Sequence, residues 1–252
     1  MRSLAFVLLL GAAACTHGPA GETKAAVTVS SANIVAAVAD AARPQADRDL
    51  DVNRKPTEML ALAGVKPGEK VGELIPGGGY MTRLFSKAIG PSGKLYAFNA
   101  APAPGRPPVL EAIVNDKANY PNVEIVVTDF VTVRAPEPLD LVWTSQNYHD
   151  MHNPGRNLDL VNANKQVFNA LKPGGLYIVL DHSAKPGTGV NPDLHRIEPD
   201  MVKKEVLAAG FEFIGDSAIL ANPADPREKT VFDPSIRHKT DQFILKFRRP
   251  KT

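Results

Sequence analysis

The stretch Val71-Gly72-Glu73-Leu74-Ile75-Pro76-Gly77-Gly78-Gly79-Tyr80-Met81-Thr82-Arg83-Leu84-Phe85-Ser86-Lys87-Ala88-Ile89 decides the fold. Its first five residues are a short, mostly apolar run, as a buried strand requires. Three consecutive glycines interrupt it. From Tyr80 to Ile89, Met81, Leu84, Phe85 and Ala88 then recur at helical spacing on one face. Glycines allow positive φ and let a ligand approach the backbone with no Cβ in the way. The helix that follows offers its unpaired amides. A strand, a glycine loop and an amphipathic helix in that order are the opening unit of a parallel sheet.

Working outward, the same alternation continues in both directions. Upstream, Pro56 to Ala63 is helical, with proline near its start and Gly64 just past its end. Ser30-Ser31 is placed to cap a short helix running to Ala42, with Ile34, Val35 and Val38 on one face. Downstream, strands are expected at 95–98, 123–127, 139–143 and 176–180. Helices are expected at 109–118, 158–171 and 201–209, and two last strands at 211–214 and 242–247. Strands separated by helices make a parallel sheet covered on both faces. The last two strands lack a helix between them and should pair antiparallel. The expected fold is therefore α/β: Rossmann-like, doubly wound, with a mostly parallel seven-stranded sheet and an antiparallel edge strand.

Composition narrows the function. The chain has 252 residues, enough for one α/β domain with a full core. Its 29 Lys and Arg nearly balance 27 Asp and Glu, which gives no electrostatic case for nucleic acid as a partner. A single cysteine excludes an intramolecular disulfide framework and any cysteine-cluster metal site. That cysteine, Cys15, follows a positive start (Met1-Arg2-Ser3), an apolar run from Leu4 to Leu10, and the small residues 11–14. The run is too short to span a membrane, and the layout is that of a secretory signal peptide. Cysteine directly after small residues resembles a bacterial lipobox, which implies lipidation of Cys15 and a lipid-anchored place in the cell envelope, at the outer membrane or periplasmic face. Plain secretion to the periplasm is the alternative. The expected organisation is a signal over 1–15, a tether and short helix over 16–47, and the α/β domain over 48–252.

The glycine loop and the order of elements resemble the class I S-adenosylmethionine-dependent methyltransferases, over about 200 residues. The 171–179 run Leu-Lys-Pro-Gly-Gly-Leu-Tyr-Ile-Val has the same likeness. More narrowly, Gly77-Gly78-Gly79-Tyr80 with Gln146-Asn147-Tyr148-His149-Asp150 resembles a bacterial group of predicted methyltransferases. The resemblance implies S-adenosylmethionine as cofactor, with Glu73 near its methionine amino group. Gly77, Gly79 and Tyr80 would stand along it, and Asp129 with Phe130 at the adenine. Two positions depart from the family pattern. Ile75 occupies the place of the first glycine. Asn99, at the end of the second strand, replaces the acid that takes both ribose hydroxyls, a loss on the order of 1–2 kcal/mol in cofactor binding.

After the fourth strand, the segment from Thr144 to His152 is unusually polar. Asn147, at the strand end, is placed against a ligand. His149 is a candidate base if a carboxylate orients its ring, and Asp150 either does so or caps the next helix. His152 is an alternative base. Asp181-His182 leaves the fifth strand into the same crevice, making His182 a second candidate, and His195-Arg196 follows a loop. No His/Asp pair has metal-ligand spacing on one helix, so no metal ligands are expected. Two functions follow. One is methyl transfer to a small molecule, with His149, Asp150 and His182 as catalytic candidates. The other is an envelope-anchored, non-catalytic binding module derived from a methyltransferase fold. Methyl transfer is the leading reading; that an exported enzyme lacks an obvious supply of this cofactor is the argument for the alternative.

Overall fold

The computed structural model describes residues 31–101, 109–129 and 132–252. The signal-like segment, Cys15 and Phe130 lie outside the described residues. The chain opens with three helices, α1 (Ala32–Val38), α2 (Gln45–Arg54) and α3 (Pro56–Ala63). It then alternates β1 (Lys70–Leu74), α4 (Tyr80–Ile89), β2 (Lys94–Asn99), α5 (Val109–Asn115), β3 (Val123–Val127) and β4 (Leu139–Ser145). There follow α6 (Tyr148–Met151), a 3-10 turn (Pro154–Arg156), α7 (Leu160–Ala170) and β5 (Leu171–His182). Last come a small ribbon of β6 (Val190–Asn191) and β7 (Arg196–Ile197), then α8 (Pro199–Ala208), β8 (Glu212–Ser217) and β9 (Gln242–Arg248).

The seven long strands form one sheet in the order β3-β2-β1-β4-β5-β9-β8. Five are parallel, and β9 runs antiparallel to both β5 and β8. The expected mostly parallel, seven-stranded sheet is present, with the reversed strand lying one place inside the edge. Strand order reverses between β1 and β4, so a crevice opens beyond their carboxyl ends.

Apolar side chains fill both faces of the sheet. One core gathers Trp143, Leu84, Phe85, Ile178 and Ile244 under α1, α3 and α4. The other gathers Tyr148, Tyr177, Val179, Val206 and Phe247 under α6, α7 and α8. Trp143 is fully buried, with its ring edge-on to Phe85. Ile34 and Ala37 bring α1 into the first core.

Helix α2 obeys a different rule, because none of its residues is buried. Ion pairs and hydrogen bonds hold it instead. Asp51 receives two hydrogen bonds from the buried guanidinium of Arg43 and one from the Tyr80 hydroxyl. Asp47 pairs with Arg83 at 2.9 Å. Arg54 lies over the Tyr80 ring and donates to Gln146. These links fasten α2 across the N-terminus of α4, as one wall of the crevice.

Candidate active site at the carboxyl ends of β1, β4 and β5

The crevice contains a cleft of about 370 Å³, within the range of small-molecule sites. Asp47, Leu50 and Arg54 of α2 form one wall, and Ser145, Gln146, Asn147 and Asp150 the other. Glu73, Ile75, Gly77 and Gly78 form the floor. A second, much smaller recess of about 20 Å³ lies on the β2–β3 side, lined by Phe98, Ala100, Thr128 and Asp129. Ile75 lines both. It is the divide between them.

Glu73 ends up 2% exposed. Thr82, from the first turn of α4, donates a 2.6 Å hydrogen bond to one of its carboxylate oxygens. Burial pushes the Glu73 carboxyl up to about 8, against the pull of Thr82 and the charges of Arg83 and Arg54. A buried acid with so little compensation at the floor of a cleft is the donor set that a ligand ammonium would complete.

The three glycines divide their work. Gly77 and Gly79 both have positive φ, at 56° and 78°. A Cβ on Gly77 or Gly78 would meet nothing within 4 Å, so this part of the loop is open to a ligand. A Cβ on Gly79 would lie 2.2 Å from the Ile113 side chain, so Gly79 serves the packing of α5 on α4. Gly79 does not line the cleft, although sequence placed it there with Gly77. Tyr80 does line it, but its hydroxyl is committed to Asp51.

Ile75 carries a φ of 52°. For a β-branched residue this left-handed backbone is strained, at a cost on the order of 1–3 kcal/mol. Its N–H donates to Phe98 and its carbonyl accepts from Asn147, which together hold the turn in place. The backbone therefore keeps the shape a glycine would give, while a side chain occupies the space.

Asn147 is buried, and its amide is fully used. Nδ2 donates to the carbonyls of Leu74, Ile75 and Ser145, and Oδ1 accepts from Thr144. It staples the end of β4 to the end of β1, and it also lines the cleft. Asn99 closes β2 beside Val127 and lines neither cavity. Asp129 lines the smaller recess and accepts the Thr132 N–H, so it also shapes its own turn.

The histidines converge. His149, 2% exposed, places Nδ1 2.8 Å from Asp181, and its backbone N–H reaches the same carboxylate. Asp181 is fully buried and also accepts the His182 N–H. Burial alone would lower the pKa of His149, but the Asp181 charge and hydrogen bond outweigh it and hold it above the ordinary value. Asp181 is held below the usual carboxylate range because His149 outweighs its burial. The orienting carboxylate is therefore Asp181, 32 residues away, and not the adjacent Asp150, whose oxygen is 3.5 Å from Nε2. His195 Nδ1 closes on His149 Nε2 at 3.1 Å. His182 shares a hydrogen bond with Thr240, and burial depresses it to about 4, which keeps it neutral. Its ring lines neither cavity. His152 instead faces Glu205, on the α8 side.

Sequence reading missed the contribution of α2 and the Asp181–His149 pairing. Both had signals. Asp47 in the first turn and Arg54 in the last match a helix dipole. The ends of adjacent parallel strands must bring Asp181 beside the segment after Ser145.

Comparison with known proteins agrees with this geometry. No family model matches the chain. A ubiquinone/menaquinone biosynthesis C-methyltransferase of Ectopseudomonas mendocina is 30% identical over 191 residues, covering 74% of this chain and 65% of that protein. The chain spans about half to two thirds of the length of the curated relatives it matches. Among solved structures, an S-adenosylmethionine-dependent methyltransferase from Aquifex aeolicus superposes with a TM-score of 0.57 at 17% identity. That match covers 82% of this chain and 98% of the other. The fold is that of the class I S-adenosylmethionine-dependent methyltransferases. The [4+2]-cyclase SpnF matches equally well, with a TM-score of 0.57 at 15% identity over 82% of each chain.

Proposed function

We propose that the protein transfers a methyl group from S-adenosylmethionine to a small molecule. The observation that carries this reading is the buried Glu73 carboxyl at the floor of the 370 Å³ cleft, at the switch point of a methyltransferase fold. Glu73 would hold the methionine ammonium, and Gly77 and Gly78 would let the chain of the cofactor lie against backbone. Asp129 would face the adenine from the smaller recess, and Asn99, at the end of β2, would stand near the ribose. When bound, the cofactor supplies a methyl group on a positively charged sulfur. The protein's own part is mainly to align an acceptor with it, because proximity and orientation provide much of such a rate. The Asp181–His149 pair presents Nε2 toward the rim, where Asp150 meets the cleft, and polarises the group that meets it. His182, neutral and beside the pair, supports its position.

Titrating S-adenosylmethionine or its demethylated product into the purified chain by calorimetry tests this reading. Binding of either with one site per chain is expected, and no heat at millimolar ligand overturns it.

Ile75 and Asn99 favour a second reading, a binding module whose cleft holds another metabolite. The likeness to a [4+2]-cyclase fits the same point, that this fold carries chemistry other than methyl transfer. The apolar run before Cys15 supports placing either protein on a lipid anchor in the cell envelope. No helix among the described residues is long and apolar enough to cross a membrane. Replacing Cys15→Ser and following incorporation of labelled fatty acid checks the anchor; equal labelling of both chains rejects it.

A further inference from the structure

We propose that His149, His195 and Asp150 bind a single divalent transition-metal ion at the rim of the cleft. The inference rests on their geometry; it shares His149 Nε2 with the methyl-transfer reading but is tested separately from it.

The three donor atoms face one another. His149 Nε2 is 3.1 Å from His195 Nδ1, and Asp150 Oδ1 is 3.5 Å from each. All three lie within 4.8 Å of one another. An ion about 2.1 Å from three donors holds them about 3.0 Å apart on an octahedral face and about 3.4 Å apart in a tetrahedron. One observed separation falls in that range and the other two exceed it by about 0.1 Å, before any ion is added.

The support behind the donors matches what a metal site needs. Asp181 accepts the Nδ1–H of His149, which leaves Nε2 as the ligand atom. A carboxylate behind a ligating imidazole fixes its tautomer and raises its basicity. His195 is held from its own side. Its backbone has a φ of 56°, in a turn whose N–H bonds to Pro192. The neighbouring Arg196 is fully buried and bonds to Ser183, Lys229 and Asp225. The Phe232 ring meets His195 edge-on at 4.8 Å. His149 is therefore buried and locked, His195 and Asp150 are both about a third exposed, and Asp150 also lines the cleft.

Two imidazoles and a carboxylate suit zinc, iron(II), manganese or nickel. Magnesium and calcium prefer all-oxygen sites. Three protein ligands leave at least one position open, on the side of the cleft, for an oxygen donor of the ligand. Sequence spacing could not show this site, because its ligands come from α6 and from the loop before β7 rather than from one helix.

The test uses the full chain after chelator treatment, titrated calorimetrically with Zn²⁺ alone, with Mg²⁺ as the comparison ion. One equivalent of Zn²⁺ and no heat with Mg²⁺ are expected. His195→Ala and Asp150→Asn should each weaken Zn²⁺ binding by about tenfold or more, with circular dichroism confirming that both fold. His238→Ala and Cys15→Ser should bind as wild type does. Loaded with Co²⁺, the wild type should show visible bands without a sulfur charge-transfer band. Failure to bind one equivalent of Zn²⁺ overturns the proposal. So does binding unchanged in both ligand variants, or lost in Cys15→Ser. S-adenosylmethionine titrated into the metal-free chain is read separately, so each reading can fail without the other.

Discussion

The two sides of the crevice are built to different standards. On the β4–β5 side, His149, Asp181 and Asn147 are buried with their polar atoms partnered, although Trp143 Nε1 and the Tyr177 hydroxyl within the strands are not. On the β1–β2 side, Ile75 sits on a strained backbone and Asn99 replaces an acid. The recess beside Asp129 is less than a third the size of the main cleft. A pocket under selection for tight nucleoside binding would show the opposite balance. The difference teaches that the rim carrying the histidines is the more fully specified half, and the nucleoside half the more relaxed.

The largest expected effect tests the specified side. Asp181→Ala leaves the two backbone N–H groups and the His149 ring without their acceptor in a dry site. Unfolding in urea should show a loss of about 3–5 kcal/mol. A loss under 1 kcal/mol would mean that this side is no more firmly built than the other.

Next comes Glu73, which belongs to the ligand side of the comparison. Its folded-state pKa of about 8 is above the ordinary value. The stability it contributes is complete below the unfolded pKa near 4.5 and is lost as pH rises through 8. Holding an ammonium requires the carboxylate, so S-adenosylmethionine should bind about tenfold more tightly per pH unit from 6 toward 8. Glu73→Gln should flatten that slope in calorimetry and remove the loss of stability at high pH. A slope retained in the variant would assign it to another group.

Asn99→Asp restores a charged acceptor for ribose hydroxyls and should tighten S-adenosylmethionine about tenfold. Unchanged affinity would place the ribose elsewhere. Ile75→Gly has the smallest effect. It relieves the left-handed backbone but adds chain entropy to the unfolded state, for a net gain of about 1 kcal/mol in urea unfolding. It should also join the two cavities and tighten the cofactor. Weaker binding would make Ile75 part of the ligand contact and erase the contrast between the two sides.

Sequence reading reached the sheet because each strand carries its own apolar run and each following helix its own apolar face. Val71–Ile75 and Tyr80–Ile89 declared themselves locally. Helix α2 did not, because it has no apolar face and is held by Arg43, Arg83 and Tyr80 from elsewhere. Glu73 was legible from its place before the glycines, although nothing in the order of residues told that it would be sealed from water. The pairing of His149 with Asp181 needed the knowledge that β4 and β5 are neighbours. Asp150, one residue away along the chain, was the closer candidate in sequence and the more distant in space. The role of Gly79 was also hidden, since the atom it makes room for belongs to Ile113.

The position of β9 sets an order on assembly. It follows β8 in the chain, after residues 218–241, but lies between β8 and β5 in the sheet. Strand β8 therefore has no sheet partner until β9 has been made and inserted, and until then β5 presents an unpaired edge. A nascent chain that has emerged through Ser217 would hold a five-stranded sheet, a finished Glu73 floor and an exposed strand edge able to recruit another chain. The same insertion completes the β4–β5 side of the crevice, since Thr240 and Gln242, which meet His182 and Gln146, arrive with β9. Until β9 is in place the glycine loop and the His149–Asp181 pair can have their partners, while His182 lacks Thr240.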